Sequence, residues 1–210
     1  MNIGALLPDL CELCELQLQP GQTLLCGHCQ AALPPAVQQL APLASADAED
    51  LLLTPLAYAD SVRFLIGALK FHHNRRAARI LARTMLPLVR TAYGDAPPPL
   101  LLPVPMSWRA RVRRGYNQAE WLAHELAREL PARSRTRLLR KRHGVSQRSK
   151  TRAERLALRQ SSFVVRAAIP VTHVAIVDDV YTTGATVRTL RAVLRRAGVA
   201  RIDAWCVARA

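Results

Sequence analysis

The chain has 210 residues, half of them apolar, with mean hydropathy near zero and a formal charge of +15, enough for a full core in one domain with an appendage or in two small ones. No window approaches ~18 uninterrupted apolar residues, and the start lacks the basic segment of a secretory signal while Pro8 interrupts its short apolar run. A soluble, cytoplasmic protein without membrane insertion is expected. Arginine carries almost all of the charge, and its planar fork suits phosphate, so nucleic acid, a pyrophosphate substrate, an acidic partner and a plain compositional bias all fit.

Four of the five cysteines, Cys11, Cys14, Cys26 and Cys29, lie in one short segment with Cys-x2-Cys spacing in each half. Two such knuckles can converge four thiolates on one tetrahedral ion, which selects zinc over harder metals. Disulfide pairing is the competing reading, disfavoured in a reducing compartment. With no open coordination position the ion would be structural, and His28 a bystander. A ribbon this small has almost no core, so its folding should depend on the metal.

Residues 33 to 50 shift to proline, alanine and acids, which reads as a linker. A strand is expected over Leu51 to Tyr58, with Pro55 placing it at an edge or bulge. Ser61 offers an N-cap to a helix through Phe64, Leu65, Ala68 and Leu69 toward Lys70, and a second helix through Ile80, Leu81, Met85 and Leu88 reaches Tyr93-Gly94. The intervening His72-His73 pair reads as a solvated junction. Leu100 to Pro105 reads as a buried strand broken by prolines. Four arginines follow between Trp108 and Arg114, and an amphipathic helix through Ala119, Leu122, Ala123, Leu126 and Leu130 stops at Pro131.

The region 133–159 is dominated by arginine, and either a closing loop or a solvated basic helix would account for it. Short strands are expected at Leu138-Leu139, Phe163–Val165 and Arg201–Val207, the last with a buried, inert Cys206. The most informative stretch is Val174-Ala-Ile-Val-Asp-Asp-Val-Tyr-Thr-Thr-Gly-Ala-Thr186. Its apolar opening reads as a buried strand that ends on Asp178 and Asp179, followed by a Thr-rich loop around Gly184 and a helix through Val187, Leu190, Val193, Leu194 and Ala197. A helix N-terminus with nearby hydroxyls can wrap a phosphate monoester, while two carboxylates can accept hydrogen bonds from vicinal sugar hydroxyls. The pair suits a ribose 5-phosphate. A P-loop is excluded, because no Gly-Lys-Ser/Thr follows, and so is Gly-x-Gly-x-x-Gly.

This stretch resembles the phosphoribosyl pyrophosphate (PRPP) signature of type I phosphoribosyltransferases. Together with Pro103-Val-Pro105, Arg114-Gly-Tyr-Asn-Gln-Ala-Glu120 and the four-cysteine segment, in that family's order, the whole chain resembles the ComF (also GntX) family, which is linked to DNA uptake and the use of external DNA. The resemblance implies an α/β fold, a type I phosphoribosyltransferase-like parallel sheet flanked by helices, with a small N-terminal zinc ribbon. It divides the chain into ribbon and linker, 1–45, and a phosphoribosyltransferase-like domain, 46–210. It implies that Asp178 and Asp179 hold the PRPP ribose and magnesium, and that Tyr181, Thr182, Thr183, Gly184, Ala185 and Thr186 hold the 5-phosphate.

By the same resemblance Val104, Pro105 and Met106 form the pyrophosphate loop, and Leu69-Lys70-Phe71 matches a further family element. Lys70, Arg114, Gln147 and Arg155 are candidate anion contacts, the last two in a hood loop where Leu158 stands in place of an asparagine common in relatives. No residue declares itself a general base, so neither a catalytic residue nor the acceptor can be read. Two functions fit: transfer of phosphoribosyl from PRPP, or a PRPP- or nucleotide-sensing adaptor that docks single-stranded DNA, a DNA-uptake helicase or another competence protein.

Overall fold

The computed structural model describes residues 9–43, 49–142 and 162–210. Strands β1 (Leu40–Pro42), β2 (Leu51–Leu53), β3 (Leu56–Ala57), β4 (Leu100–Pro103), β5 (Arg133–Ser134), β8 (His173–Tyr181) and β9 (Arg201–Arg209) build one sheet. Its order is β1-β2-β9-β8-β4-β5, with β3 also on β9, and every pairing except β1 with β2 is parallel. The expected strand over residues 51–58 is split into β2 and β3 at Thr54-Pro55, because proline cannot donate to the ladder. Strands β6 (Leu139–Lys141) and β7 (Phe163–Val165) form a separate antiparallel pair. Gln147 and Arg155 lie outside the described residues.

Side-chain alternation along β4, β8 and β9 makes two cores. Leu101, Ala175, Val177 and Trp205 pack on one face with helices α2 (Asp60–Phe71), α3 (Arg75–Tyr93) and α5 (Gln118–Glu129). Leu100, Leu102, Val174, Ile176 and Ile202 pack on the other with α6 (Ala185–Arg196), Leu139 and Phe163. Each fully buried leucine or isoleucine contributes roughly 1.5–3 kcal/mol, so the three central strands are the best-anchored part of the chain. The crossover after β4 runs through α5 on one face, and the one after β8 through α6 on the other. The direction of winding therefore reverses between β4 and β8, and in open parallel sheets the crevice at such a point receives ligands.

Two buried acids fasten the β2 and β9 side. Asp50 takes Arg191 at 2.5 Å, Arg195 at 2.8 Å and the Ile202 N–H at 2.8 Å. Asp203 accepts from Tyr93 and the Leu51 N–H, each at 2.7 Å, and meets His173 Nε2 at 2.7 Å. Burial alone would raise the Asp203 carboxyl, but the hydrogen bonds from His173, Tyr93 and Leu51 outweigh it and hold it below the usual range.

Helix boundaries follow their caps. Asn74 accepts from the Ala77 N–H at 3.0 Å and starts α3, and Asn117 accepts from the Ala119 N–H at 3.2 Å and starts α5. The cap of helix α2 lies two residues ahead of the expected one: it is Ala59, which makes no side-chain bond, and Ser61 lies inside the first turn. The larger correction is at β8. The strand does not stop at the acid pair but continues to Tyr181, because β9 offers partners to the end, with Asp178 opposite Cys206 and Tyr181 opposite Arg209.

Candidate functional site

Asp178 and Asp179 sit near the carboxyl end of β8, beside the end of β4: the Val104 N–H donates to the Val177 carbonyl at 2.9 Å. Asp179 is buried and ion-paired with Lys70 in the last turn of α2. Burial opposes its charge, but the Lys70 ammonium prevails and holds the carboxyl below its ordinary range. Asp178, whose Oδ1 accepts from the Asp179 N–H at 3.0 Å, is shifted the other way: burial and the neighbouring Asp179 charge push it well above the usual carboxylate range. The two neighbouring carboxyls are thus shifted in opposite directions, Asp179 downward by its lysine partner and Asp178 upward by burial beside the Asp179 charge.

Beyond Tyr181 the chain turns at Thr182, Thr183 and Gly184 into α6. Gly184 has φ +69°, a left-handed conformation that favours glycine, and a Cβ there would stand 2.3 Å from the Tyr181 hydroxyl and would have to displace that ring. Thr182, Thr183 and Thr186 are exposed at the helix N-terminus, where backbone N–H groups and the helix dipole favour an anion. Arg188, in the next turn, donates to the Thr183 carbonyl at 2.6 Å. The Arg209 guanidinium lies 5.8 Å from the centre of the Tyr181 ring. Neither arginine stands out in the sequence, although Arg188 follows Gly184 by one helical turn.

The Arg114–Glu120 segment fastens the other two site segments. The Tyr116 hydroxyl donates to the Leu69 carbonyl, next to Lys70, and its ring stacks on Trp121 with centres 4.2 Å apart. Asn117 Nδ2 donates to the Val104 carbonyl at 2.9 Å. These two positioning roles were not legible in the motif. Arg114 donates to Gln118 at 2.6 Å and lies 5.6 Å from the centre of the exposed Phe71 ring, beside Lys70. Pro105 and Met106 line a neighbouring cavity whose other walls include α4 (Trp108–Arg114), β6, Glu120 of α5 and Arg166.

At the N-terminus the thiol sulfurs of Cys11, Cys14, Cys26 and Cys29 all lie within 4.8 Å of one another. Cys14 and Cys26 are 3.7 Å apart, close to the ~3.8 Å edge of a tetrahedron with ~2.3 Å zinc–sulfur bonds. All are free thiols, so the disulfide alternative is not realised. The N–H groups of Cys26 and Cys29 donate to the sulfurs of Cys11 and Cys26, each at 3.4 Å. For Cys11, burial is outweighed by backbone N–H groups, and its thiol falls to about 6. The donor set fits zinc; His28 is not part of it.

The ribbon is not held by metal ligands alone. Cys11, Leu24, Leu25, Cys29 and Leu33 belong to the same apolar cluster as Val62, Leu65 and Ala78. Glu12, inside the first knuckle, pairs with Arg76 at 2.5 Å and accepts from Asn74 at 3.1 Å, at the junction that follows Lys70. The expected division at residue 45 falls between β1 and β2, which pair with each other. No helix among the described residues is long and apolar enough to cross a membrane.

No protein-family model matches the chain. It is similar to Competence protein F of Haemophilus influenzae, 32% identical over 209 residues, covering 96% of this chain and 90% of that protein. DNA utilization protein YhgH of Escherichia coli K12 is 32% identical over 228 aligned positions, 96% and 97% of the two chains. Competence protein ComFC of Streptococcus pneumoniae is 30% identical over 106 residues, about half of each chain. With two relatives matched nearly end to end and its four motifs in order, the chain belongs to the ComF family of competence and DNA-utilization proteins, which links it to DNA uptake.

Proposed function

We propose that the crevice between β4 and β8 binds PRPP with magnesium and that the protein transfers its phosphoribosyl group to an acceptor, in the handling of imported DNA or its nucleotides. The observation that carries the reading is the sequence of groups along one strand end: a buried, lysine-paired Asp179, the adjoining Asp178, then a glycine-dependent loop at the N-terminus of α6. Asp178 and Asp179 take the ribose hydroxyls, and residues Tyr181 to Thr186 take the 5-phosphate. Val104, Pro105 and Met106 receive the diphosphate, with Lys70 and Arg114 as nearby cations and Gln147 and Arg155 as hood contacts.

Carboxylate oxygens suit magnesium, and Asp178 and Asp179 are the residues that would hold it; the ion would neutralise charge on the ribose–diphosphate unit. In the reaction the bond from the anomeric carbon to diphosphate breaks, its electron pair leaving with the diphosphate. A bond forms from that carbon to an acceptor lone pair, and the acceptor's proton passes to an oxygen of the departing diphosphate. The transition state resembles an oxocarbenium ion, so the chain's contribution is to hold the ribose, stabilise the leaving charge and exclude water.

In this reading residues 46–210 carry the transferase site and residues 1–45, with their zinc, a docking module. A second reading, a PRPP-sensing adaptor for single-stranded DNA or an uptake helicase, is favoured by α4, which exposes Trp108 among four arginines and buries no residue. Pyrophosphate release from PRPP separates the two. Wild type with magnesium and a panel of bases, amines and nucleotides is expected to release pyrophosphate, and the Asp178→Asn, Asp179→Asn double variant to release none. Binding of PRPP without release for any acceptor favours the adaptor.

A further inference from the structure

Beside the pyrophosphate loop, a cavity of about 540 Å³ is lined by Arg111, Arg137, Arg140, Lys141 and Arg166 and, among the described residues, by one carboxylate, Glu120. Arg111 spends its guanidinium on Glu120, with two bonds of 2.7 and 3.1 Å. Among the described residues no carboxylate pairs with Arg137, Arg140, Lys141 or Arg166. Four cations that have no carboxylate partner among the described residues and line one cavity repel one another, and a bound anion relieves that repulsion.

The cations are carried on ordered backbone. Arg140 and Lys141 lie in β6, opposite Val164 and Phe163 of β7, and the Arg166 N–H donates to the Leu138 carbonyl at 2.9 Å. Apart from Thr136, the remaining wall is apolar and aromatic: Pro105, Met106, Leu139 and the Trp108 indole, the last 63% exposed. The volume lies within the ~300–1,000 Å³ of small-ligand sites and leaves room beside a phosphate for a flat ring against the indole. Val104, one residue before this wall, is hydrogen-bonded to Val177, one residue before Asp178.

We infer that this cavity is the binding site of the second substrate, and that this substrate is a phosphate-bearing aromatic molecule of the nucleoside monophosphate class rather than a free base or an amine. The inference rests on the transferase reading and specifies its acceptor.

The test is calorimetry at low salt on the zinc-loaded full chain, with adenosine monophosphate, adenosine and inorganic phosphate as probes. Wild type is expected to bind the nucleotide at least tenfold tighter than the nucleoside. An Arg140→Ala, Arg166→Ala double variant, altered only at exposed positions, should weaken the nucleotide at least tenfold while still binding PRPP. Trp108→Ala should weaken the nucleotide several-fold and leave inorganic phosphate unchanged. The Asp178→Asn, Asp179→Asn variant should lose PRPP and keep the nucleotide, and a wild type that binds the nucleotide but not PRPP would sink the transferase reading and leave this site standing. Equal affinity for nucleoside and nucleotide, or nucleotide binding lost with the aspartates, overturns the assignment. So does a ten-residue thymidylate strand that depends on Arg140 and Arg166 where the mononucleotide does not bind.

Discussion

The four thiols of the ribbon are brought together by bonds within some twenty residues of chain, whereas the acid pair reaches its state through partners far away in sequence. Cys26 and Cys29 donate backbone N–H groups to sulfurs of the same ribbon, so the cluster's own contacts are local in sequence. Asp179 depends on Lys70, Lys70 on a helix end that Tyr116 fastens, and the adjoining turn on Asn117. The first constellation is local in sequence, although the ribbon that carries it shares a core with Val62 and Leu65. The second is assembled by the fold, and the ribbon contributes to it by packing on α2 and α3.

The largest expected effect breaks the apparent independence of the ribbon. Cys26→Ser should release zinc and, because ribbon residues share a core with Val62 and Leu65, destabilise the whole chain by about 4 kcal/mol, or roughly 10 °C in Tm. Hydrogen exchange should open α2 along with the knuckles. Opening confined to residues before Leu33 would show that the ribbon is a separate unit.

Next comes the loop. Gly184→Ala must place a methyl against the Tyr181 hydroxyl and hold a left-handed backbone, at a cost of about 1–2 kcal/mol. PRPP binding should weaken at least tenfold while α6 stays folded by circular dichroism. Full affinity in a stable variant would mean that the turn is not the phosphate loop.

The smallest effect concerns pH. The Asp179 carboxyl is held below its unfolded value by Lys70, so its contribution is present above that unfolded value, about 3.9, and is lost as pH falls through the lower folded one. Asp178 is shifted upward, and its contribution runs the other way: it is lost as pH rises through the raised value. In urea melts below about pH 5, Lys70→Met should therefore show less loss of stability on acidification than wild type. An unchanged acid slope would show that Lys70 does not hold the charge.

How far the sequence discloses these features follows the same division. The four-cysteine spacing, the parallel α/β sheet and the strand at Phe163–Val165 were legible, because period and local chemistry specify them, and the strand expected over Leu100 to Pro105 ends two residues earlier, at Pro103. The end of β8 was not: two acids look like a strand terminus, yet pairing with β9 carries the strand to Tyr181. Tyr116 and Asn117 stood within a recognised motif, but their task is to reach carbonyls of Leu69 and Val104, which only the fold brings near. The cavity cations gave no signal beyond an arginine-rich composition, since Arg111, Arg140 and Arg166 meet through two helices' worth of intervening chain and the β6–β7 pair.

The most direct measurement is calorimetric titration of the zinc-loaded protein with PRPP and magnesium, in wild type and in the Asp178→Asn, Asp179→Asn variant. Saturable one-to-one binding by wild type, weakened at least 100-fold in the variant as charged hydrogen bonds to the ribose are lost, is the expected result. A folded, zinc-loaded wild type that binds no PRPP, or a double variant that binds it equally well, would contradict the assignment of the crevice.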